Sequence, residues 1–522
     1  MKALGEDEPR GWQGFADAAD AAAKFEALQH KLVPLWHSIQ SFNQDPQTIV
    51  VVPSLTVDRV LQGQHQQSYE ERFLFLLFLL RQPRARLVYV TSLAIQPSIV
   101  DYYLGLLPGV VAGHARKRLF LVSPMDGSPQ PLSRKLLDRP RLIERIRDLI
   151  PDPDRAHLVP FNTTMLERDL ALRLGIPMYA CDPRFFPLGT KSGGRRLFAE
   201  AGVTHPLGIE DLTSEEDLVR ALAELRARRP TIRAAIVKLN EGVSGEGNAL
   251  VSMTGLPGSG SPSERHEIAK RVRDMRFDAP GTSYERYEAK LRERGGVVEE
   301  RIAGTEFRSP SAQLRITPLG EVERLSTHDQ ILGGSSGQLY LGCSFPADPA
   351  YARPVMRDAA KVGELLARKG VIGRFALDFV AVRGDSGAWS TYAIEINLRK
   401  GGTTHPFLTL QFLTDGAYDP DRGAFLTPRG EPKCFVATDR QESPLYRAFT
   451  PDDLFDIVVR HGLHFDQSRQ TGIVLHMMSA LGDHGSLGLT AVANTHAEAD
   501  TLYAKAVSVL DREAGAMADP RT

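Results

Sequence analysis

Short runs of β-branched and aromatic residues alternate with longer amphipathic stretches through the first third of the chain. The strand-like runs cover residues 48–52, 87–91, 119–122, 158–161 and 177–180, and the helical patterns cover 18–40, 69–80, 95–106, 141–150 and 166–174. Strands that alternate with helices of this length need right-handed crossovers, which produce a parallel sheet covered on both faces. The pattern predicts a Rossmann-like α/β domain over residues 1–185. No G-x-G-x-x-G fingerprint follows its early strands, so we assign it no nucleotide.

The pattern changes after residue 185. Glycine and charged residues become dense from Lys191 onward, and a loop or linker (GLPGSGSPS) covers residues 255–263. After about residue 407 the chain is loop-rich and ends in strand-like runs at 472–478 and 489–493 and a helical pattern at 497–510. These changes predict a middle domain over residues 186–410 and a small α+β C-terminal domain over residues 411–522. A chain of 522 residues has room for roughly two to four domains.

Composition narrows the possible partners. Lys and Arg total 63 against 64 Asp and Glu, so no bulk charge attracts nucleic acid or an anionic membrane. The most apolar run, residues 73–80, is much shorter than the roughly twenty residues that a membrane-spanning helix needs. Glu6, Asp7 and Glu8 stand where a secretory signal would be basic and then apolar. We therefore expect a cytoplasmic protein without nucleic-acid or membrane partners.

The three cysteines give no sign of catalysis or metal binding. Cys181, Cys343 and Cys434 are far apart, odd in number and not at metal-ligand spacing. We expect reduced, mostly buried thiols, because no activating partner is visible in the sequence.

Two segments have the composition of phosphate-binding elements. In residues 189–202 (GTKSGGRRLFAEAG), Lys191 is expected in a loop just before a helix, whose N-terminus favours anions. In residues 236–248 (IVKLNEGVSGEGN), a strand delivers Lys238, and a glycine-rich turn follows. Backbone N–H groups at glycines can approach phosphate oxygens, and Ser244 adds a hydroxyl donor. Taken singly, these segments are better explained by a solvated surface lysine and a hairpin loop. No Gly-Lys-Ser/Thr closes the loop, so it is not a Walker A motif.

A third segment, residues 297–307 (VVEERIAGTEF), combines an extended apolar pair with acidic residues. Glu299 and Glu300 follow the pair, and Gly304 turns the chain before Glu306. Such a strand offers backbone groups to an adenine edge and a carboxylate to ribose hydroxyls. A charged edge strand followed by a turn is the alternative interpretation.

The fourth segment pair is the most specific. Residues 375–380 (FALDFV) place Asp378 in a strand, and residues 392–399 (YAIEINLR) place Glu395 and Asn397 on one strand face. Inward carboxylate and amide oxygens are unfavourable without a cation, and hard oxygen ligands suit Mg²⁺ shared with nucleotide phosphates. Arg399 lies on the same face and is suited to binding phosphate or stabilising transferred charge. The alternative is a structural salt-bridge cluster.

In this order the four segments resemble the ATP-grasp superfamily over residues 186–405. The resemblance implies a nucleotide held between two α+β subdomains of an ATP-grasp fold, after a Rossmann-like pre-ATP-grasp domain, with ATP and Mg²⁺ as cofactors. It implies the following roles: Lys191 and Lys238 on the phosphates; residues 241–248, with Ser244, Gly245 and Gly247, as the mobile loop over them; Glu299, Glu300 and Ile302 at the adenine; Glu306 at the ribose; Asp378, Glu395 and Asn397 as metal ligands; and Arg399, with Lys238, in catalysis.

A closer resemblance, to the peptide ligase family of pheganomycin biosynthesis, rests on KLNEGVSGEGN, on residues 326–346 (STHDQILGGSSGQLYLGCSFP) and on EINLRKGGTTHPF. Residues 471–500 are similar to the small terminal domain of that group.

D-alanine ligase-like members carry an arginine two residues before the metal aspartate, where this chain has Ala376, and the nearest arginine is Arg374. Arg315 and His328 can face either side of their strands. His405 either borders the acceptor pocket or begins a helix with Pro406.

The resemblance implies a ligase that activates a carboxylate as an acyl phosphate, couples it to an amine and releases ADP and phosphate. Both substrates are expected to be small molecules or peptides. No covalent nucleophile is needed, in agreement with the absence of a Ser/His/Asp or Cys/His signature. One alternative is a kinase, which leaves the γ-phosphate on its product. Another is a regulatory nucleotide-binding module without turnover, although clustered inward charges are unfavourable without a ligand to hold.

Overall fold

The computed structural model describes residues 12–40, 46–56, 65–242, 247–279, 281–333 and 339–518. Ser244 and Gly245, predicted to contact phosphate, lie outside these ranges. Within them, no helix is both long and apolar enough to cross a lipid bilayer.

The first sheet is parallel, as the alternating pattern predicts. Its strands are β1 (Gln47–Val52), β2 (Ala85–Val90), β3 (Leu119–Val122) and β4 (Ala156–Pro160), in the order β3-β2-β1-β4. The accompanying helices are α1 (Ala18–Gln29), α2 (Leu32–Gln40), α3 (Gln66–Glu71), α4 (Pro97–Gly105), α5 (Ala112–Arg116), α6 (Leu132–Leu137), α7 (Pro140–Asp148) and α8 (Met165–Leu174). Two apolar clusters cover the sheet, which is why its strands are hydrophobic without alternation.

Two predicted elements of this domain differ from the observed ones. The helix expected over residues 69–80 is α3 followed by a 3₁₀ helix, Arg72–Arg81, whose sequence RFLFLLFLLR is apolar on every side and is almost wholly buried. The strand expected over residues 177–180 is a single bridge between Leu158 and Met178. Pro177 cannot donate to a strand ladder, and the chain soon turns into the 3₁₀ helix Pro183–Gly189.

The second sheet forms a small antiparallel lobe. Its strands are β5 (Gly208–Leu212), β6 (Ala234–Leu239), β7 (Asn248–Ser252), β8 (Arg276–Phe277) and β9 (Gly296–Glu300), in the order β5-β9-β6-β7-β8. Its neighbouring helices are α9 (Lys191–Glu200), α10 (Glu215–Arg228), α11 (Pro262–Arg273) and α12 (Tyr284–Arg294). The lobe has its own apolar core, in which Leu222, Val237 and Leu291 are inaccessible to solvent.

The third sheet begins with β10 (Glu306–Arg308), β11 (Pro310–Ile316), β12 (Val322–Gly333), β13 (Leu339–Phe345), β14 (Gly373–Arg383) and β15 (Trp389–Asn397), with helices α13 (Pro349–Arg368) and α14 (Thr404–Thr414). β15 pairs with one edge of β14, and β10 and β11 share its other edge. β14 is therefore an inner strand, flanked by β15 on one side and by β10 and β11 on the other.

The C-terminal segment continues this third sheet. After the hairpin β16 (Ala417–Asp419) and β17 (Ala424–Leu426) come β18 (Cys434–Glu442), β19 (Gly472–His476) and β20 (Ser486–Ala493), with helices α15 (Pro451–Arg460), α16 (Leu481–His484) and α17 (His496–Ala518). β18 pairs with β13, which completes a nine-stranded sheet. The predicted boundary at residue 410 thus falls inside α14 and within one continuous sheet. The division into residues 1–185, 186–410 and 411–522 stays a prediction.

Candidate active site

A cleft of about 660 Å³ lies between the small lobe and the nine-stranded sheet. Ligand pockets typically have volumes of roughly 300–1,000 Å³. The predicted site residues that line it are Lys191, Lys238, Glu299, Glu300, Ile302, Asp378, Glu395, Asn397 and Arg399. Tertiary structure therefore brings segments that are about two hundred residues apart in the chain to one cavity.

The acidic cluster lies on neighbouring strands. The register pairs Asp378 of β14 with Glu395 of β15. Asn397 Nδ2 donates to Asp378 Oδ2 at 2.9 Å, and Gln330 Nε2 donates to Oδ1 at 2.8 Å. Burial raises the pKa of Asp378 to about 6, and the charge of Glu395 adds to the effect. The cluster therefore has an excess of buried negative charge, which two amide donors partly offset.

Lys191 supplies a cation to this cluster. Its Nζ lies 2.6 Å from Glu395 Oε2. The predicted loop position of Lys191 is wrong, because α9 begins at Lys191 itself: Thr190 caps the helix and accepts from the Gly193 N–H at 3.1 Å. A Cβ on Gly193 would stand 1.9 Å from the Pro187 carbonyl oxygen, so this close helix start requires glycine.

Lys238 belongs to a buried ion network on the small lobe. Its Nζ lies 2.6 Å from Glu299 Oε2, and Arg195 NH1 lies 2.9 Å from Glu299 Oε1. Burial alone would raise the pKa of the Glu299 carboxyl, but Lys238 and Arg195 together lower it below its usual value. Glu299 thus holds Lys238 at the cleft wall as an ionised partner.

The other residues predicted to contact the nucleoside have different surroundings. Glu300 accepts from the Leu207 N–H at 2.9 Å and pairs with Arg229, while Ile302 lines the cleft. Glu306 is not part of the cleft lining. Its carboxylate pairs instead with Arg308 at 2.5 Å and with Arg383 at 3.2 Å.

Gly247 is the first described residue after positions 243–246 of the glycine-rich loop. Its φ of +99° lies in the left-handed region that favours glycine, and its carbonyl accepts from the Leu239 N–H at 3.0 Å and from the Tyr287 hydroxyl at 2.8 Å. The loop is therefore anchored to the small lobe at its C-terminal end. Gly242, just before the undescribed part, lines the cleft.

Arg399 and Lys400 follow the acidic cluster. Arg399 lines the cleft, with its guanidinium 6.0 Å from the centre of the Phe161 ring. The buried Lys400 donates from Nζ to the Pro160 carbonyl at 2.7 Å. Burial lowers the pKa of Lys400 from near 10.5 to about 7, and the charge of Arg374 acts in the same direction.

The lowered pKa of Lys400 predicts a pH-dependent stability. Because the folded-state pKa of about 7 lies below the unfolded value, the unfolded chain binds more protons between these values. The free energy of unfolding should therefore rise with pH in this window, with this group contributing up to about 1.4 kcal/mol per pH unit. Urea titrations between pH 7 and 9 should show that Lys400→Met removes this slope. The control Lys290→Met, at an exposed position, should keep it, and an unchanged slope in Lys400→Met would contradict the prediction.

Several lining residues carry no signal in the sequence. Arg72, on the buried 3₁₀ helix, pairs with Asp439 of β18 at 2.7 Å, and both line the cleft, as do Tyr69 and Arg440. These residues belong to no recognisable motif. Gln330 lies in residues 326–346, which resemble the peptide ligase family named above. Only the fold shows that Gln330 contacts Asp378.

The sequence leaves open whether Arg315, His328 and His405 face the site. None of these three residues lines the cleft. Arg315 pairs with Glu323, and its guanidinium lies 5.0 Å from the Trp36 ring centre. His328 is fully buried, with Nε2 at 2.8 Å from Ser326 Oγ. His405 is also buried, behind the cleft wall.

The cysteines are as expected. All three are free and buried, and burial raises the pKa of Cys181 and Cys343 to about 12 and that of Cys434 to about 11. Thiols with such pKa values stay protonated at neutral pH, so they are unsuited to nucleophilic catalysis.

A cleft between an antiparallel lobe and a larger sheet, lined by two lysines and by paired acidic strands, defines the class: an ATP-grasp enzyme. Family models agree. Residues 187–275 and 262–420 match the model described as "IQCH-like, ATP-grasp", and residues 453–506 match the "PGM1 C-terminal domain". The chain belongs to the ATP-grasp family of carboxylate–amine ligases.

Among curated proteins, the chain is similar to the L-propargylglycine–L-glutamate ligase of Streptantibioticus cattleyicolor. The two are 31% identical over 462 residues, which cover 87% of this chain and 91% of that protein. It is also 26% identical over 400 residues to the IQ motif-containing protein H of Danio rerio, covering 68% of this chain but only 37% of that protein.

Solved structures share the fold. Biotin carboxylase from Campylobacter jejuni, in complex with β,γ-ATP, aligns with a TM-score of 0.53 at 12% identity, over 91% of this chain and 96% of that chain. The biotin carboxylase domain of 2-oxoglutarate carboxylase from Hydrogenobacter thermophilus, in complex with MgADP, aligns with a TM-score of 0.52 at 13% identity, over 88% and 89%. At these identities the likeness concerns the fold alone.

Proposed function

We propose that this ligase uses ATP and Mg²⁺ to convert the carboxylate of one amino acid or peptide into an acyl phosphate. The acyl phosphate then reacts with the amino group of a second amino acid or peptide. The observation that carries the proposal is the pairing of Asp378 with Glu395 at the cleft wall, with Lys191 bound to Glu395 at 2.6 Å.

The residues of the acidic cluster fit Mg²⁺. Burial and the charge of Glu395 raise the pKa of Asp378 to about 6, and a nearby positive charge lowers it, as the Lys191 ammonium already does in part. Asn397 points its amide nitrogen at Asp378, and the same amide rotated by 180° presents an oxygen. Asp378, Glu395 and Asn397 would then hold the ion with oxygen ligands alone. When bound, Mg²⁺ offsets the negative charge of the phosphates during transfer.

Lys191 and Lys238 would bind the ATP phosphates. For Lys191 this means exchanging Glu395 for a phosphate oxygen. Lys238 stays fixed by Glu299 while its ammonium faces the cleft. A substrate carboxylate oxygen then attacks the γ-phosphorus in line, the bond to the bridging oxygen breaks, and ADP leaves.

The second step forms the amide. The neutral amine attacks the acyl carbon, the bond to the bridging oxygen breaks, and the phosphate leaves with that oxygen and takes up the proton that the amine loses. Arg399, which lines the cleft beyond the acidic cluster, would stabilise the negative charge that develops on the acyl phosphate. Water would hydrolyse this intermediate, so the site has to exclude water between the two steps.

The arginines of the cleft lining and the name of a relative support amino acid substrates. Arg72, Arg399 and Arg440 present guanidinium groups, which bind carboxylates with two hydrogen bonds. Asp439 adds a carboxylate to the same wall. A relative of 31% identity is named for joining two amino acids.

The products test the proposal. With ATP, Mg²⁺ and pairs drawn from L-amino acids and dipeptides, ADP and phosphate should form in equal amounts together with one new amide, and only when both substrates are present. An acid labelled with ¹⁸O in its carboxylate should transfer one ¹⁸O to the released phosphate. Liquid chromatography with mass spectrometry measures all of these products. AMP with pyrophosphate, or a product that retains the γ-phosphate as a kinase product does, would overturn the proposal.

A further inference from the structure

We propose that His405, Asp439 and His476 form a second cation site, which binds a divalent transition-metal ion of the Zn²⁺ type. The three residues come from distant segments: the first turn of α14, the middle of β18 and the end of β19. The two imidazole Nε2 atoms are 3.0 Å apart, and each lies 3.2 Å from Asp439 Oδ1. The two histidines have no part in the proposed ligation, whereas Asp439 also lines the proposed substrate wall.

The triangle of ligand atoms has the size of a metal centre. With bonds of about 2.0–2.1 Å, neighbouring ligands of a tetrahedral Zn²⁺ ion are about 3.3 Å apart. The observed distances of 3.0, 3.2 and 3.2 Å come within a few tenths of an ångström of this spacing. Each of the two rings is almost wholly inaccessible to solvent.

Hydrogen bonding alone does not satisfy this arrangement. If both imidazoles donate from Nε2 to Asp439 Oδ1, two N–H groups face each other at 3.0 Å. If one imidazole instead donates its Nε2 proton to the other ring, the accepting Nε2 carries no proton. That second ring then cannot donate to the carboxylate. A cation held between the three atoms accepts all three lone pairs together and removes the conflict.

The surroundings of the cluster support a built site. Arg72 NH1 binds the other carboxylate oxygen, Oδ2, at 2.7 Å and so directs Oδ1 towards the imidazoles. Outer partners of this kind commonly orient metal-binding carboxylates. Opposite His476, β20 has Gly488, and a Cβ there would stand 2.2 Å from the His476 ring. The glycine therefore leaves the space that the imidazole needs.

The ligand set identifies the class of ion. Two imidazole nitrogens and one carboxylate suit Zn²⁺ and similar transition metals, whereas Mg²⁺ prefers oxygen ligands. The cluster therefore differs chemically from the all-oxygen set of Asp378, Glu395 and Asn397. Asp439 lines the cleft and the two buried imidazoles do not, so the ion would join α14, β18 and β19 next to the cleft wall.

Metal content tests the proposal directly. Tag-free protein is treated with a chelator and dialysed against Zn²⁺ in the presence of excess Mg²⁺. After unbound metal is removed, inductively coupled plasma mass spectrometry measures the metal content. We expect about one Zn²⁺ per chain and a raised thermal unfolding midpoint. His476→Gln and Asp439→Asn should weaken Zn²⁺ binding by at least about tenfold. The control His461→Gln, whose imidazole pairs with Glu513 at 2.7 Å outside the cluster, should bind as wild type does.

A measurement on the unaltered protein keeps the test valid if a variant fails to fold. X-ray absorption at the zinc edge of the loaded wild-type protein should show imidazole scattering with nitrogen ligands at about 2.0–2.1 Å. An all-oxygen shell, absence of bound Zn²⁺, or folded cluster variants that bind as wild type does would each overturn the proposal. None of these measurements depends on ligase activity, so the two proposals fail separately.

Discussion

Glu395→Gln is expected to abolish ligase turnover while leaving the protein folded. The change removes one negative ligand from the proposed Mg²⁺ site but keeps the shape of the side chain. Loss of a group that stabilises transferred charge typically lowers kcat by about 10²–10³-fold or more. The side chain is 28% exposed, so its neutralisation should alter the free energy of unfolding little.

Steady-state ADP release with both substrates measures this effect, and a Mg²⁺ titration separates weaker metal binding from slower chemistry. The matched control is Glu323→Gln, since Glu323 is likewise a partly exposed carboxylate on the third sheet that pairs with a cation, Arg315, but it does not line the cleft. Activity of Glu395→Gln close to that of the control would remove Glu395 from the metal site.

Glu299→Gln should destabilise the protein strongly. The variant leaves Arg195 and Lys238 side by side at a buried position without the carboxylate that binds both, at 2.9 and 2.6 Å. Removing one partner of a buried ion pair typically costs about 3–5 kcal/mol, because the remaining charge is desolvated without compensation. Urea unfolding monitored by circular dichroism gives the free energy directly.

Two further variants make this prediction specific. Glu210→Gln also removes a partner of Arg195, but at a carboxylate that is 28% exposed, and it should cost less than about 1 kcal/mol. The double variant Glu299→Gln with Lys238→Met has one buried cation fewer and should recover part of the lost stability. It should nevertheless bind ATP weakly, since Lys238 is gone. A double variant less stable than Glu299→Gln alone would show that charge imbalance is not the cause.

Local patterns predicted the strands that carry the acidic cluster. Residues 375–380 and 392–397 lie in β14 and β15, and the period of two along a strand placed Glu395 and Asn397 on one face. Their partners were beyond the reach of any local pattern. The pairing of Asp378 with Glu395 follows from strand register, and Gln330 reaches Asp378 from β12 across the intervening β11.

Predictions that depended on one local boundary were less accurate. Lys191 is the first residue of α9 rather than a loop residue, because Thr190 caps the helix. The apolar run after Tyr69 is a 3₁₀ helix, and burial on every side removed the amphipathic pattern that distinguishes helix types. Glu306 follows the acidic pair in the expected order, yet two arginines bind it away from the cleft lining.

The sequence by itself determined the α/β character of the first domain, the order of the four site segments and the residue types that we propose to bind phosphate and metal. Each follows from spacing over a few residues, which fixes helix or strand and the face of each side chain. Only the tertiary structure joined the C-terminal strands to the sheet of β14 and placed Arg72 against Asp439, 367 residues away. It alone assembled His405, Asp439 and His476. Such contacts are set by strand register and by burial between distant segments, and neither is encoded in the spacing of neighbouring residues.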